Sequence, residues 1–182
     1  MSGGLDVSMV IQQLVNGLAL GSVYALIALG YTMVYGIIRL INFAHGDIFM
    51  LGAYYGYFAI TMFNIPFALA LPLTMILAAM TGMAVERLAY KPLRQAPRIA
   101  SLITAIGVSL LLQNLGLKFF EARPRPYPRI MNTVVWDLGG VVVSNVQLIM
   151  LALAVALMVL ISLIVYRTKI GKAMRAVSFD KD

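Results

Sequence analysis

The sequence predicts an all-α, polytopic membrane protein with about five transmembrane helices and a small hairpin in an outer loop. Three observations carry that expectation. First, 62% of the 182 residues are hydrophobic, 12% are charged and the mean hydropathy is +0.91. An ordinary soluble domain is about 45–50% apolar and about 25% charged, and a water-soluble chain this apolar would expose large patches and aggregate. Second, the apolar residues fall into five runs, each near or above the roughly 20 residues a helix needs to cross a bilayer. Third, Lys and Arg collect in the gaps between the runs rather than on one polar face, the placement by which membrane topology is set.

The first run covers roughly Val10 to Ile38, longer than one span requires, so that it can tilt or bend near Gly17, Gly21 or Gly30. The second covers about Asp47 to Phe63 and ends at Asn64-Ile65-Pro66, a turn because the residue before proline avoids the helical region. The third covers about Pro66 to Val85. Pro72 inside it is tolerable in a membrane, where neighbouring helices satisfy a freed carbonyl. The fourth and fifth cover about Ile99 to Phe120 and Gln147 to Tyr166. Between them lie two longer connections. ERLAYKPLRQAPR, Glu86 to Arg98, is basic and holds two prolines. The stretch Glu121 to Asn145 starts extended, because Pro124, Pro126 and Pro128 fix it so. TVVW and VVVS then flank Asp137-Leu138-Gly139-Gly140, two β-favouring runs around a glycine turn, hence a hairpin. It is placed at the membrane surface outside the bilayer, since an open strand edge cannot face lipid.

Orientation follows from the basic residues. The gaps after runs one, three and five hold ten of the fourteen Lys and Arg. The other side holds Lys118, Arg123, Arg125 and Arg129. The positive-inside bias puts the N-terminus outside and the C-terminal end of the chain in the cytoplasm. MSGGLDVSMV carries no Lys or Arg ahead of the first run, so the first helix is expected to be retained rather than cleaved as a signal peptide.

The net charge of +7 thus marks topology and not nucleic acid as a partner. No cysteine is present, which removes disulfides and thiolate metal sites. No GxxxxGK[ST], HExxH or GxSxG occurs, and the chain has one histidine. The expectation is a protein that is not an enzyme and uses no metal or cofactor. No run carries a regular arginine series or an acid at its clear centre, which argues against a voltage sensor and a proton relay.

Polar residues near the runs are the candidate site. In LINFAHGDIFMLGAY, Leu40 to Tyr54, the residues Asn42, His45 and Asp47 fall together. They form either a turn, with Asn42 and Gly46 breaking the helix and Asp47 capping the next one, or a buried polar site lining a break. Gln113 and Asn114 lie mid-run, as hydrogen-bonding contacts between helices or as a polar patch on a substrate path. Gly17 with Gly21 and Gly52 with Gly56 form GxxxG pairs, which either pack helices closely or occur by chance.

The run NGLALGSVYALIALGYTMVYGIIRLINFAHGDIFMLGAY, Asn16 to Tyr54, resembles the opening of membrane permeases of the branched-chain amino acid ABC transporters. RTKIGKAMRAVSFDKD, Arg167 to Asp182, is similar to their cytoplasmic segment of the form TxxGxAxRAxxxD, and WDLGGVVVSNVQL, Trp136 to Leu148, to their outer loop. The resemblance implies an inner-membrane permease subunit that works with a homologous second permease subunit and membrane lipid. Two cytoplasmic ATPase subunits would hydrolyse ATP, and a periplasmic amino-acid-binding protein would deliver leucine, isoleucine or valine. It implies that Gly171, Lys172, Ala173, Arg175, Ala176 and Asp180 dock into an ATPase; the bland alternative is a polybasic stretch drawn to anionic lipid. It raises Asn42, His45 and Asp47, with Gln113 and Asn114, to translocation-pathway candidates. Relatives carrying urea, amides or other amino acids are the alternative within the family, and an ion-gradient-driven secondary transporter the alternative outside it. Members of the family continue with further helices, so residues 1–182 read as a single transmembrane permease domain cut within the docking segment, about 167–182.

Overall fold

The protein is described by a computed structural model over residues 7–38, 42–93, 96–121 and 123–179. The elements in order are α1 (Val7–Ile38), α2 (His45–Thr61), α3 (Phe67–Val85), α4 (Arg98–Phe120), β1 (Val135–Asp137), β2 (Val142–Ser144), α5 (Asn145–Arg167) and α6 (Lys169–Phe179). Four stretches, Val7–Gly36, Phe67–Leu93, Ile99–Phe120 and Asn145–Arg167, are long and apolar enough to cross a membrane. The fifth, α2, has 17 residues and so spans about 25 Å, close to the hydrocarbon thickness of about 30 Å. The expected all-α polytopic fold with about five helices is therefore the observed one.

One boundary is corrected. Glu86–Arg98 was expected as a connection, yet Glu86–Tyr90 continues α3 as a π-type turn and Lys91–Leu93 as a 3-10 turn. The reason is local: Glu, Arg, Leu and Ala are good helix formers, and no breaker stands between Val85 and Pro92.

The helices fall into two units, residues 39–130 and residues 1–38 with 131–182. In the first, α2 runs antiparallel to α3 and parallel to α4. A Cβ at Gly52 would meet Ala78 at 3.8 Å, and one at Gly56 would meet Thr74 and the Tyr127 hydroxyl. The Gly52/Gly56 pair thus marks a close approach to α3, as small residues permit. Tyr55 and Thr81 hydroxyls hydrogen-bond across the same seam at 3.0 Å. Towards α4, Met50 lies over Gly116, and Tyr54 stacks on Phe120 with centroids 4.2 Å apart. Residues 47, 50 and 54 of α2 therefore face 109, 113, 116 and 120 of α4, the i, i+3, i+4 spacing of a helix stripe.

At the end of that seam the chain turns sharply, with Glu121 at φ 61. Arg125 donates to the Phe120 carbonyl at 3.0 Å, and its guanidinium sits 5.9 Å and 5.6 Å from the Tyr57 and Phe58 ring centroids. It thereby caps α4 and makes cation–π contacts with α2. Burial beside these rings pushes the Tyr127 hydroxyl above its ordinary pKa.

In the second unit, α1 and α5 run parallel, and the expected hairpin is present. β1 pairs antiparallel with β2, Trp136 opposite Val143. Leu138 N–H donates to the Val141 carbonyl at 2.9 Å, while Gly139 and Gly140 take φ of 70 and 91, values that favour glycine. Ser144 then opens α5 with a reciprocal cap on Gln147. A Cβ at Gly17 or Gly21 would meet nothing within 4 Å among the described residues, so this second GxxxG is not used for packing within the unit.

The two glycine pairs should respond differently. Gly56→Leu is expected to destabilise the chain in detergent by about 1–3 kcal/mol through overpacking against α3, whereas Gly17→Leu should stay within about 0.5 kcal/mol. Denaturant titration followed by helical circular dichroism checks both, and equal costs would contradict the packing assignment.

Candidate functional site

Two clusters carry the polar and basic candidates. The first lies between α2, α4 and the extension of α3. Asp47 stands in the first turn of α2, where the free N–H groups and the helix dipole favour a carboxylate. It is 8% exposed, and the N-cap position of α2 is Ala44, whose side chain offers no cap hydrogen bond. Both carboxylate oxygens of Asp47 accept from α4. The Ser109 hydroxyl donates to Oδ2 in a short hydrogen bond, and the Gln113 amide donates to Oδ1 at 3.0 Å. Gln113 also donates to Ser109 at 3.1 Å. A polar side chain in an apolar slab needs such partners, because unsatisfied burial costs several kcal/mol, on the order of 2–7.

From Asn42 onward, the described part of the Leu40–Tyr54 stretch has features of each expectation. It is a turn, with His45 N–H donating to the Asn42 carbonyl at 3.2 Å, and Asp47 is also a buried polar group. Gly46 does not break the helix; it lies inside α2. His45 is the first residue of α2 and is half-buried. Asn42 accepts from the Tyr90 hydroxyl at 2.8 Å, and Tyr90 is buried on the π-type turn that prolongs α3. The turn before α2 is therefore tied to the end of α3.

Gln113 and Asn114, adjacent in sequence, part company. Gln113 joins Asp47, whereas Asn114 donates to the Leu110 carbonyl of its own helix at 2.7 Å. Successive helical residues point about 100° apart, so only one of the two can share the α2 seam. Ser109 and Tyr90 were not singled out by the sequence. Ser109 had a signal, its place one helical turn before Gln113; Tyr90 had none, because its segment read as a loop.

The second cluster is the elbow between α5 and α6. Thr168 breaks the helix with extended backbone, φ −95 and ψ 160. Its hydroxyl donates to the Ile164 carbonyl at 2.6 Å and accepts from Gly171 N–H at 3.1 Å, satisfying the end of one helix and the start of the next. A Cβ at Gly171 would collide with the Val165 and Ile164 carbonyls, so this glycine is required by the elbow itself. Arg175 lies over the Tyr166 ring, 5.5 Å from its centroid. Lys172, Ala173 and Ala176 are exposed and, with Lys169, recur at i, i+3, i+4 and i+7, one face of α6. Asp180 lies outside the described residues.

A multi-pass helical chain with a hydrogen-bonded carboxylate between spans and a basic amphipathic helix after its last span is an integral membrane protein of the polytopic class. Residues 13–182 match the permease component of the branched-chain amino acid transport system, and the chain belongs to that family. It is 40% identical over 182 residues to the high-affinity branched-chain amino acid transport system permease protein BraD of Pseudomonas aeruginosa. It is 36% identical over 183 residues to the corresponding protein LivH of Salmonella typhimurium, and 35% identical to LivH of Escherichia coli. In each case the match covers 93% of this chain and 59% of the relative, so the chain spans well under two thirds of the length of these relatives. No solved structure matches it.

The α2–α4 cluster should behave as a coupled unit. In a double-mutant cycle, Asp47→Leu and Gln113→Leu are expected to couple by about 0.6–1.7 kcal/mol, the range of hydrogen bonds between membrane helices. Asp47→Leu and Asn114→Leu should add without coupling. Steric-trap or denaturant unfolding in micelles reads both, and additivity in the first pair would refute the contact.

Proposed function

We propose that the chain forms part of the membrane permease of an ATP-binding-cassette importer that moves leucine, isoleucine and valine across the bacterial inner membrane. The observation that carries this reading is the family match over residues 13–182, together with relatives whose names specify high-affinity branched-chain amino acid transport. In this reading a second permease subunit completes the pathway and a periplasmic protein delivers the amino acid. Two ATPase subunits dock on the cytoplasmic side and supply the energy, in keeping with the absence of a phosphate-loop motif from this chain. The distribution of Lys and Arg supports an outer N-terminus and a cytoplasmic α6. Residues 1–182 would then be a single permease domain that reaches into the docking segment.

The exposed face of α6 is the proposed ATPase contact. Ala173 and Ala176 let another backbone approach, and Lys172 offers a cation to an acidic groove. Gly171 acts one step away, by permitting the elbow that presents this face. Arg175, held over Tyr166, steadies the helix. On the membrane side Asp47, Gln113, Asn42 and His45 are the pathway candidates, since movement of α2 against α4 or α3 must open their hydrogen bonds. Asn114 is the weakest of the set, because its amide is spent on its own helix.

The test is reconstitution of the full permease with its partner subunits in proteoliposomes. Leucine uptake should require ATP, be blocked by vanadate and survive ionophores; uptake that follows an ion gradient would reject the importer reading. Ala176→Trp is expected to lower leucine-stimulated ATP hydrolysis about tenfold, equivalent to about 1.4 kcal/mol of lost docking, with membrane insertion unchanged. Wild-type hydrolysis in that variant would remove α6 from the ATPase interface.

A further inference from the structure

The hairpin is unusually apolar for a segment outside the spans. Val134, Val135, Trp136, Leu138 and Val142 are all exposed, Trp136 by 46% and Leu138 by 67%, and strand alternation places them on both faces. In water such a hairpin would be a sticky edge. What it touches is fixed by where it is held. The Gln12 side-chain amide of α1 pairs with the Val142 backbone like a neighbouring strand, accepting from its N–H at 2.6 Å and donating to its carbonyl at 3.0 Å. The turn lies beside the first turn of α1, where a Cβ on Gly140 would meet Ser8 at 3.5 Å. The hairpin is thus laid along the start of α1 instead of projecting away from it.

Its depth follows from the same helices. Asn16 of α1 accepts from Gln147 of α5 at 3.1 Å and from Gln12 at 3.1 Å, which puts these polar groups at one level. From Asn16 to Gly36, and from Gln147 to Arg167, the chain rises about 30 Å, the thickness of the hydrocarbon core. The Asn16–Gln147 pair therefore marks the boundary of the hydrocarbon. Gln12 lies about 6 Å and Ser8 about 12 Å beyond it, whereas the headgroup region of one leaflet is about 5–8 Å deep. β2 and its partner Trp136 fall within that layer.

We infer that the hairpin is an interfacial anchor, with Trp136 inserted among the lipid headgroups of the leaflet where α1 and α5 begin. The chemistry fits. Tryptophan prefers this layer because its ring is apolar and its N–H finds a partner there. The β2 edge is closed by Gln12, while the outer edge of β1 pairs with no further strand among the described residues and keeps backbone groups that headgroup water would satisfy and hydrocarbon would not.

Trp136 is the only tryptophan in the sequence, so its fluorescence reports the hairpin alone when excited beyond the tyrosine band. The full chain would be reconstituted in phosphatidylcholine–phosphatidylglycerol vesicles and quenched separately with aqueous acrylamide and with lipids brominated near the glycerol end or near the bilayer centre. The expected result is blue-shifted emission, severalfold weaker acrylamide quenching than for free tryptophan amide, and stronger quenching by the shallow bromines than by the deep ones. Red-shifted emission open to acrylamide and untouched by brominated lipid would overturn the inference, the hairpin then standing in water. Emission shielded from both quenchers would overturn it as well, since protein and not lipid would cover the ring. Stronger quenching by the deep bromines would do the same.

Discussion

Lipid offers no hydrogen bonds, and the hydrogen-bonded polar side chains described above are placed by that fact. Asp47 is the clearest case. Its carboxylate could remain within the protein only by reaching a second helix, and it takes both Ser109 and Gln113 to engage its two oxygens. Those bonds fix which faces of α2 and α4 meet, because residues 50 and 54 lie on the same stripe of α2 as Asp47. The packing of Met50 on Gly116 and of Tyr54 on Phe120 follows from that alignment. Elsewhere the same demand is met locally: Ser22, Thr32 and Thr61 return their hydroxyls to a carbonyl of their own helix, the usual resort of a short polar side chain on a membrane helix.

Helix ends raise the demand in another form, since the last four carbonyls of a helix lack intrahelical donors. The chain answers differently at each end. After α4 a guanidinium comes back from the following loop, and Arg125 occupies the Phe120 carbonyl. Between α5 and α6 one hydroxyl serves both helices, since Thr168 donates to Ile164 and accepts from Gly171. That arrangement leaves no room for a Cβ at Gly171. The spacing Thr-x-x-Gly in this segment is thus a statement about the elbow before it is one about a partner.

This explains what could be read from the sequence and what could not. The spans were legible because span length and apolar content are imposed by the bilayer, one helix at a time. The hairpin was legible because Gly139 and Gly140 supply the positive φ its turn uses. Pairings between helices were not. Nothing local distinguishes Gln113 from Asn114; their different fates depend on where α2 stands. Tyr90 was hidden because prolines suggested a loop, whereas helix-forming residues carried α3 on past Val85. The amide of Gln12, which closes the edge of β2, was not singled out by the sequence.

Among the described residues of α6, the exposed face can be weighed against lipid and against a protein groove. A helix that rests on lipid gains by turning large apolar or aromatic side chains to the bilayer and lysines to the headgroups. Here the exposed stripe alternates Lys169 and Lys172 with Ala173 and Ala176. Alanine gives lipid little area to cover, so the stripe would bind a membrane mainly by charge. A protein groove gains from the same alanines, because they allow backbones to approach to packing distance. Arg175 is set against Tyr166, where it helps hold the helix at its angle. The proposed protein contact is therefore favoured by the small residues on this exposed stripe, with Arg175 set on Tyr166.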